Sequence, residues 1–122
     1  MGALKDELLG LMSAPPVTVE DVIIGLNNLD RAVINDVMRN RAKNNIDYIT
    51  IYIDNGHIYT NSELDNFKIN IEMLAGEGKA LTGRDANQIN KAIVDWFKEQ
   101  YGEGEGMTVT EPLKNTINIR WS

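Results

Sequence analysis

The most constraining feature of this sequence is an Asn55-Gly56 dipeptide between two runs of alternating apolar residues, from Tyr48 to Thr60. An Asn-Gly pair in this setting is the strongest short-range signal for a β-hairpin with a two-residue turn. Such a turn places Tyr52 opposite Tyr59, and opposed residues lie on the same face of the ribbon. One face is therefore predicted to be a core face made of Ile49, Ile51, Ile53 and Ile58. The other carries Tyr48, Thr50, Tyr52, Asp54, His57 and Tyr59.

We call this second face the tyrosine face, because it holds three of the four tyrosines of the chain together with its single histidine. Tyrosine is enriched at protein interfaces, since it buries a large area with little loss of side-chain freedom. The candidate protein-binding residues are Tyr48, Tyr52, His57 and Tyr59. Two alternatives stay open: the tyrosines could pack beneath a helix as core residues, and His57 could be an ordinary solvated turn residue.

The composition is that of a soluble globular domain of 122 residues, with 43% apolar and 25% charged residues. There are no cysteines, which excludes disulfides and thiolate chemistry. No apolar run approaches the roughly 18 residues that a membrane span needs. The N-terminus lacks the features of a signal peptide. We therefore expect a cytoplasmic protein without membrane contact.

The net charge is −6, and residues 46–122 carry twelve acidic against seven basic side chains. A protein that binds phosphate groups usually has a basic footprint, so the overall sign is wrong for that class. The charge is explained by solubility alone, or by attraction to a protein partner with a basic surface.

The hydrophobic periodicity predicts helices and strands in an α+β arrangement. A helical N-terminal half is followed by a mostly antiparallel sheet of hairpins and by one long C-terminal helix at about 84–101. The N-terminal helices are predicted at 3–12, from a cap at Thr18, and at 31–43. Alternation through Phe67, Ile69, Ile71 and Met73 favours a third strand, although the same region fits a helix from 64 to 74. The chain is predicted to end in a hairpin with a five-residue loop, 111–115.

The helix–turn–helix order followed by a hairpin, over residues 18–60, resembles a winged helix-turn-helix domain. In that family the second helix enters the DNA major groove and the hairpin forms the wing. The resemblance implies that Arg31, Asn35, Arg39 and Lys43, on the polar face of the helix at 31–43, would contact DNA. Asparagine and arginine suit base edges and phosphates. A polar helix face is also what any solvated amphipathic helix presents.

No nucleophile elbow, phosphate-binding loop or dinucleotide fingerprint occurs, and one histidine does not make a familiar zinc site. We therefore expect no enzymatic activity, no metal and no cofactor. The leading hypothesis is a small acidic binding module, a regulator or inhibitor of a class that includes phage proteins, which docks on a protein partner. The alternative is a winged-helix DNA-binding regulator, for which a homodimer is plausible. Residues 1–122 are predicted to form one domain, with a division into 1–61 (winged-helix-like) and 62–122 (helix plus hairpin) left open.

Overall fold

Five antiparallel strands form one sheet in the computed structural model, which describes residues 2–62, 64–65 and 67–122. The strands are β1 (Tyr48–Asp54), β2 (His57–Tyr59), β3 (Lys68–Asn70), β4 (Thr108–Leu113) and β5 (Thr116–Arg120). Their spatial order is β3-β2-β1-β5-β4. The helices are α1 (Ala3–Ser13), α2 (Val19–Asn28), α3 (Ala32–Lys43), α4 (Ile71–Ala75) and α5 (Ala86–Phe97), the last continued by a π-helical turn (Lys98–Glu103). The predicted α+β class with an antiparallel sheet is confirmed.

The boundaries of the N-terminal helices follow from local chemistry. At the start of α2, the Thr18 hydroxyl accepts a hydrogen bond from the Asp21 amide, and the Asp21 carboxylate accepts one from the Thr18 amide. Lys79 lies 2.7 Å from the Asp21 carboxylate, and this contact, with the Thr18 hydrogen bonds, lowers the pKa of Asp21. Asp30 accepts a hydrogen bond from the Ala32 amide at the start of α3.

The hairpin of β1 and β2 has the predicted register, with Tyr52 opposite Tyr59. Asn55 and Gly56 both have positive φ angles, 49° and 75°, as the two central residues of a type I′ turn require. The four isoleucines of the predicted core face are at most 2% exposed. They join the buried side chains of α2, α3, α5 and β5 in one core. The isoleucine face is therefore the inner face of the sheet.

The predicted order, a helical N-terminal half followed by a sheet with one long C-terminal helix, is wrong, because α4 and α5 lie between β3 and β4 and the last two elements are strands. The single long helix predicted at 84–101 is also absent. The α-helix covers Ala86–Phe97, and the backbone then widens into the π-helical turn, in which the Gly104 amide bonds to the Glu99 carbonyl at 2.9 Å. The wider turn keeps Tyr101 buried and brings Gly102 close to β4, where a Cβ added at Gly102 would lie 3.6 Å from Val109 Cγ2.

The region predicted as a third strand is divided between a strand and a helix. Strand β3 ends at Asn70, whose side-chain oxygen accepts hydrogen bonds from the amides of Glu72 (2.9 Å) and Met73 (3.3 Å). This cap starts α4 at once, so the predicted alternation through Ile71 and Met73 is helical instead. Asn66, inside the alternative helix at 64–74, lies outside the described residues.

The C-terminal hairpin has a different register from the predicted one. Val109 pairs with Ile119, two residues away from the register that a loop at 111–115 requires. The turn is tighter, and an irregularity between Thr110 and Leu113 takes up the one extra residue of β4. The shift of two residues preserves the faces, so Ile117 and Ile119 are still buried.

Candidate protein-binding face

Strand pairing extends the tyrosine face across the sheet. Residues paired in antiparallel strands share a face, so the partners of the β1 and β2 tyrosines belong to it. Tyr48 pairs with Arg120, Tyr52 with Thr116, and Tyr59 with Lys68. On β1, β2, β3 and β5 the extended tyrosine face consists of Tyr48, Thr50, Tyr52, Asp54, His57, Tyr59, Lys68, Asn70, Thr116, Asn118 and Arg120. The paired residues of the edge strand β4 continue it with Thr108, Thr110 and Leu113.

Tyr52 and Tyr59 form a stacked pair at the centre of this face. Their ring centroids are 5.7 Å apart and their planes are inclined by 28°. Stacked pairs of this kind stabilise by about 0.5–1.5 kcal/mol beyond their buried area. Both rings are only half-buried. The pair therefore presents a stacked aromatic surface that remains partly accessible to solvent.

Tyr48 lies at one end of the face between two arginines. The guanidinium carbons of Arg41 and Arg120 are each 5.6 Å from the centroid of its ring, within the range of cation–π attraction. The guanidinium of Arg41 is held in place by Asp65, because its Nε and Nη2 donate to the two carboxylate oxygens at 2.8 and 2.7 Å. Its Nη1 also donates to the Tyr48 carbonyl at 3.1 Å. The Asp65 contact raises the pKa of Arg41. Tyr48 is 39% exposed, so this arrangement orients an accessible ring.

The tyrosine face does not share the acidic character of the chain as a whole. It carries Lys68 and Arg120 against Asp54, whereas the net charge of the chain is −6. Next to Arg120, Asp47 accepts a 2.6 Å hydrogen bond from the Ser122 hydroxyl. That hydrogen bond, followed by the Arg120 charge, lowers the pKa of Asp47. The acidic excess must therefore lie on other surfaces.

His57 occupies the hairpin end of the face beside an open groove of about 760 Å³. Its Nδ1 is 2.9 Å from the carbonyl oxygen of Asn55, a contact that holds the ring against the turn. The groove is lined by His57, Tyr59, Asn61, Ser62 and Lys68 among others. The four predicted binding residues thus lie on one surface, with His57 and Tyr59 next to a concave region.

The alternative in which a helix buries the tyrosines is not what the structure shows. Tyr48 is exposed, and Tyr52, His57 and Tyr59 are half-buried. Thr116 is the most buried member of the face, at 9% exposure. In the described part of the chain this face is open to solvent.

The four residues that the winged-helix resemblance implies are divided between two environments. Arg31 donates to the Gln100 side chain, and its guanidinium carbon is 5.1 Å from the Trp96 ring centroid. Asn35 accepts a 2.8 Å hydrogen bond from the Tyr101 hydroxyl. Burial raises the pKa of that hydroxyl, although the Arg31 charge acts in the opposite direction. Arg31 and Asn35 are therefore engaged with the C-terminal half of the chain.

The other two residues implied by the resemblance are in solvent. Arg39 is 65% exposed and pairs with Asp36 at 2.6 Å, and Lys43 is exposed in the last turn of α3. The hairpin corresponding to the wing is not a projection, because β1 lies at the centre of the sheet. The tip of the hairpin is also bonded to the start of α4, since the Ile71 amide donates to the Gly56 carbonyl at 2.9 Å.

The sequence analysis did not find Arg41, Lys68 or Arg120 as members of the site. Arg41 had a detectable signal, because it follows Ile34 and Met38 at the helical spacing of the buried stripe of α3. A cation on an apolar stripe indicates a buried ion pair. Arg120 had no such signal, because its position depends on the pairing of β5 with β1, which are far apart in the chain.

The chain matches no family model, and no curated protein or solved structure is significantly similar to it. The winged-helix resemblance stays a prediction. In the described ranges, no cluster of three potential metal-ligating side chains occurs. No helix among those residues is both long and apolar enough to cross a membrane.

Proposed function

We propose that this chain is a non-catalytic protein-binding module, a regulator or inhibitor, that docks on a protein partner through the extended tyrosine face. The observation that carries the proposal is the stacked and solvent-accessible pair of Tyr52 and Tyr59 on a preformed sheet. Aromatic side chains at the centre of an interface supply most of its binding energy. Because the strands hold both rings in place, little conformational entropy is lost on binding.

The neighbours of the pair also support this function. Threonine and asparagine surround the tyrosines, and Asn118 donates to the Thr50 hydroxyl at 3.3 Å. A mixture of tyrosine with small polar residues is typical of protein-binding surfaces, since it combines apolar contact with adaptable hydrogen bonding. The net charge of −6 would attract a partner with a basic surface over a long range, while the nearly neutral face makes the contact.

The test is affinity capture from extracts of the producing cells, with and without nuclease. We expect a protein that the wild type retains after nuclease treatment. The double variant Tyr52→Ala/Tyr59→Ala should weaken its binding by more than about 2 kcal/mol, or about 30-fold in Kd. Titration calorimetry with the identified partner measures this change.

Two controls separate the binding effect from loss of the fold. Val33→Ala truncates a 45% exposed apolar side chain on α3, away from the tyrosine face, and should leave the affinity unchanged. Thermal unfolding of the double variant establishes that it is folded at the temperature of the assay. A folded double variant with wild-type affinity would exclude this face as the docking surface. Retention that disappears with nuclease would favour the winged-helix alternative, which has less support because Arg31 and Asn35 already have partners.

A further inference from the structure

Helix α1 is an apolar helix that its own domain leaves uncovered. All of its residues from Ala3 to Ser13 are exposed. Leu4, Leu8 and Leu11 follow the i, i+4, i+7 spacing of one stripe, and they are 66%, 50% and 59% exposed. Leu9 and Met12 widen this stripe to about 160° of the helix circumference. An isolated helix of 11 residues is marginal in water, so α1 needs a surface to pack against.

A shallow, mainly apolar groove lies between α2 and α4 on the same molecule. At Gly25 the two helices approach so closely that an added Cβ would stand 2.2 Å from the Leu74 carbonyl oxygen. Because the backbones of α2 and α4 are in contact there, the side chains next to that contact form the two walls of the groove. Ile24 is 50% exposed and Met73 is 81% exposed. The groove has a volume of about 340 Å³. Leu29, Leu74 and Ala75 add apolar lining, and Asp21 and Asn28 add polar lining.

We propose that α1 of one copy of this chain docks into the α2–α4 groove of a second copy, forming a symmetric dimer by reciprocal exchange. An amphipathic helix laid in an apolar groove is a common mode of recognition, and exchange of an identical element is a low-cost route to a dimer. Helix α1 matches the α2 wall of the groove in length, with 11 residues against 10, and extends beyond the shorter α4 wall of five residues. This inference is independent of the function proposed for the tyrosine face.

The tether of α1 favours a second copy over the groove of the same chain. Only Ala14, Pro15 and Pro16 separate α1 from Val17. This tether is anchored, because the Val17 amide donates to the Ala80 carbonyl and the Ala80 amide donates to the Pro15 carbonyl, both at 3.0 Å. Proline restricts both itself and the residue before it to extended geometry, so the tether holds α1 away from its own domain.

The area that would be buried also favours reciprocal docking. A helix of this length is about 16 Å long and about 10 Å wide, so covering half of it buries roughly 250 Å². One helix–groove contact therefore buries at most roughly 500 Å² on the two sides, and two contacts at most roughly 1,000 Å². This lies just below the ~1,200 Å² at which specific interfaces begin, which indicates a weak dimer. Direct pairing of two α1 helices would bury only half as much.

The charge of α1 argues against a lipid surface as the occupant. Helices that lie on anionic membranes carry several basic residues on their polar face. Helix α1 has one basic residue, Lys5, against Asp6 and Glu7. A protein surface is the better match for its apolar stripe.

Sedimentation equilibrium of the full chain, from about 1 µM to about 1 mM, tests the proposal. The wild type should populate a dimer. Leu8→Glu on α1 and Met73→Glu in the groove should each raise the dissociation constant at least about 100-fold. In a symmetric dimer the substituted residue is present in both helix–groove contacts, so each variant buries two charges. The controls are Gly10→Glu, which adds the same side chain where a Cβ meets nothing within 4 Å, and Leu113→Glu, at a 71% exposed site on β4. Both controls should dimerise like the wild type.

Three outcomes would overturn the proposal. A wild type that stays monomeric over the whole range would mean that α1 is covered by its own chain or by a different protein. A dimer that survives either Leu8→Glu or Met73→Glu would exclude the helix–groove contact. Dissociation of the controls along with the two test variants would show that added charge, rather than position, disrupts the dimer. Circular dichroism establishes that every variant is folded, which the exposure of all four sites favours.

Discussion

At the scale of single residues, the buried ion pair between Arg41 and Asp65 connects the tyrosine face to the interior. Asp65 has a side chain that is 0% exposed, and two hydrogen bonds join it to the guanidinium. Removing one partner leaves an unpaired charge in the interior, which typically destabilises by about 3–5 kcal/mol. We predict that Asp65→Ala lowers the free energy of unfolding by about this amount, measured by urea denaturation.

The exposed pair of Arg39 and Asp36 is the matched control for this prediction. Its N–O distance, 2.6 Å, is as short as that of the buried pair, but both side chains are about two-thirds exposed. Asp36→Ala should therefore change the stability by less than about 1 kcal/mol. The double variant Arg41→Met/Asp65→Leu should recover much of the loss, because apolar residues of similar size replace both charges. Equal effects of Asp65→Ala and Asp36→Ala would contradict our view of the buried pair.

At the scale of elements, the contact between α2 and α4 depends on the absence of a side chain at Gly25. A methyl group there would clash with the Leu74 carbonyl oxygen, which belongs to the backbone and cannot rotate away. We predict that Gly25→Ala destabilises the protein by about 1–3 kcal/mol, as overpacking usually does, although alanine is the better helix former. Gly10→Ala in α1 is the control, since nothing lies within 4 Å of the new Cβ. If Gly25→Ala were as harmless as Gly10→Ala, the helices would not touch at this point.

Among the helices, strands and turns, those encoded by neighbouring residues could be predicted from the sequence, and those that depend on distant contacts could not. The hairpin turn and the Thr18 cap are encoded by residues within three positions of one another, and both were predicted correctly. The start of α4 was missed, because the alternation that precedes it continues past the Asn70 cap. The π-helical turn was missed because it depends on packing against β4, which no local pattern contains.

At the scale of the whole molecule, the sequence predicts which residues of the candidate site share a face, but not what surrounds them. The tyrosines lie on one face because of the two-residue turn, a local signal. Their openness to solvent and their arginine neighbours depend on which strand lies beside β1. That strand is β5, more than sixty residues further along the chain. Pairing over such a separation leaves no trace in hydrophobic periodicity, so the sequence analysis predicted a C-terminal hairpin without joining it to the tyrosine face.

The same long-range pairing predicts how the molecule unfolds. Strand β1 belongs to residues 1–61 and β5 to residues 62–122, so neither half contains the complete centre of the sheet. Side-chain hydrogen bonds also join the halves, among them one of 2.9 Å from the Trp96 indole to Asn27 and one of 2.8 Å from the Tyr101 hydroxyl to Asn35. We therefore predict one cooperative transition in urea, as expected for a single domain of this size.

Two spectroscopic signals distinguish one transition from two. Both tryptophans, Trp96 and Trp121, lie in the second half, so their fluorescence reports on that half. Far-UV circular dichroism reports on the helices of both halves, including α1, α2 and α3 of the first half. In a Trp121→Phe variant the fluorescence comes from the buried Trp96 alone, and the midpoints of the two signals should coincide. A circular dichroism midpoint clearly separated from the fluorescence midpoint would mean that residues 1–61 and 62–122 unfold independently. The tyrosine face would then join two separately folding units, because Tyr48 and Arg120 come from different halves.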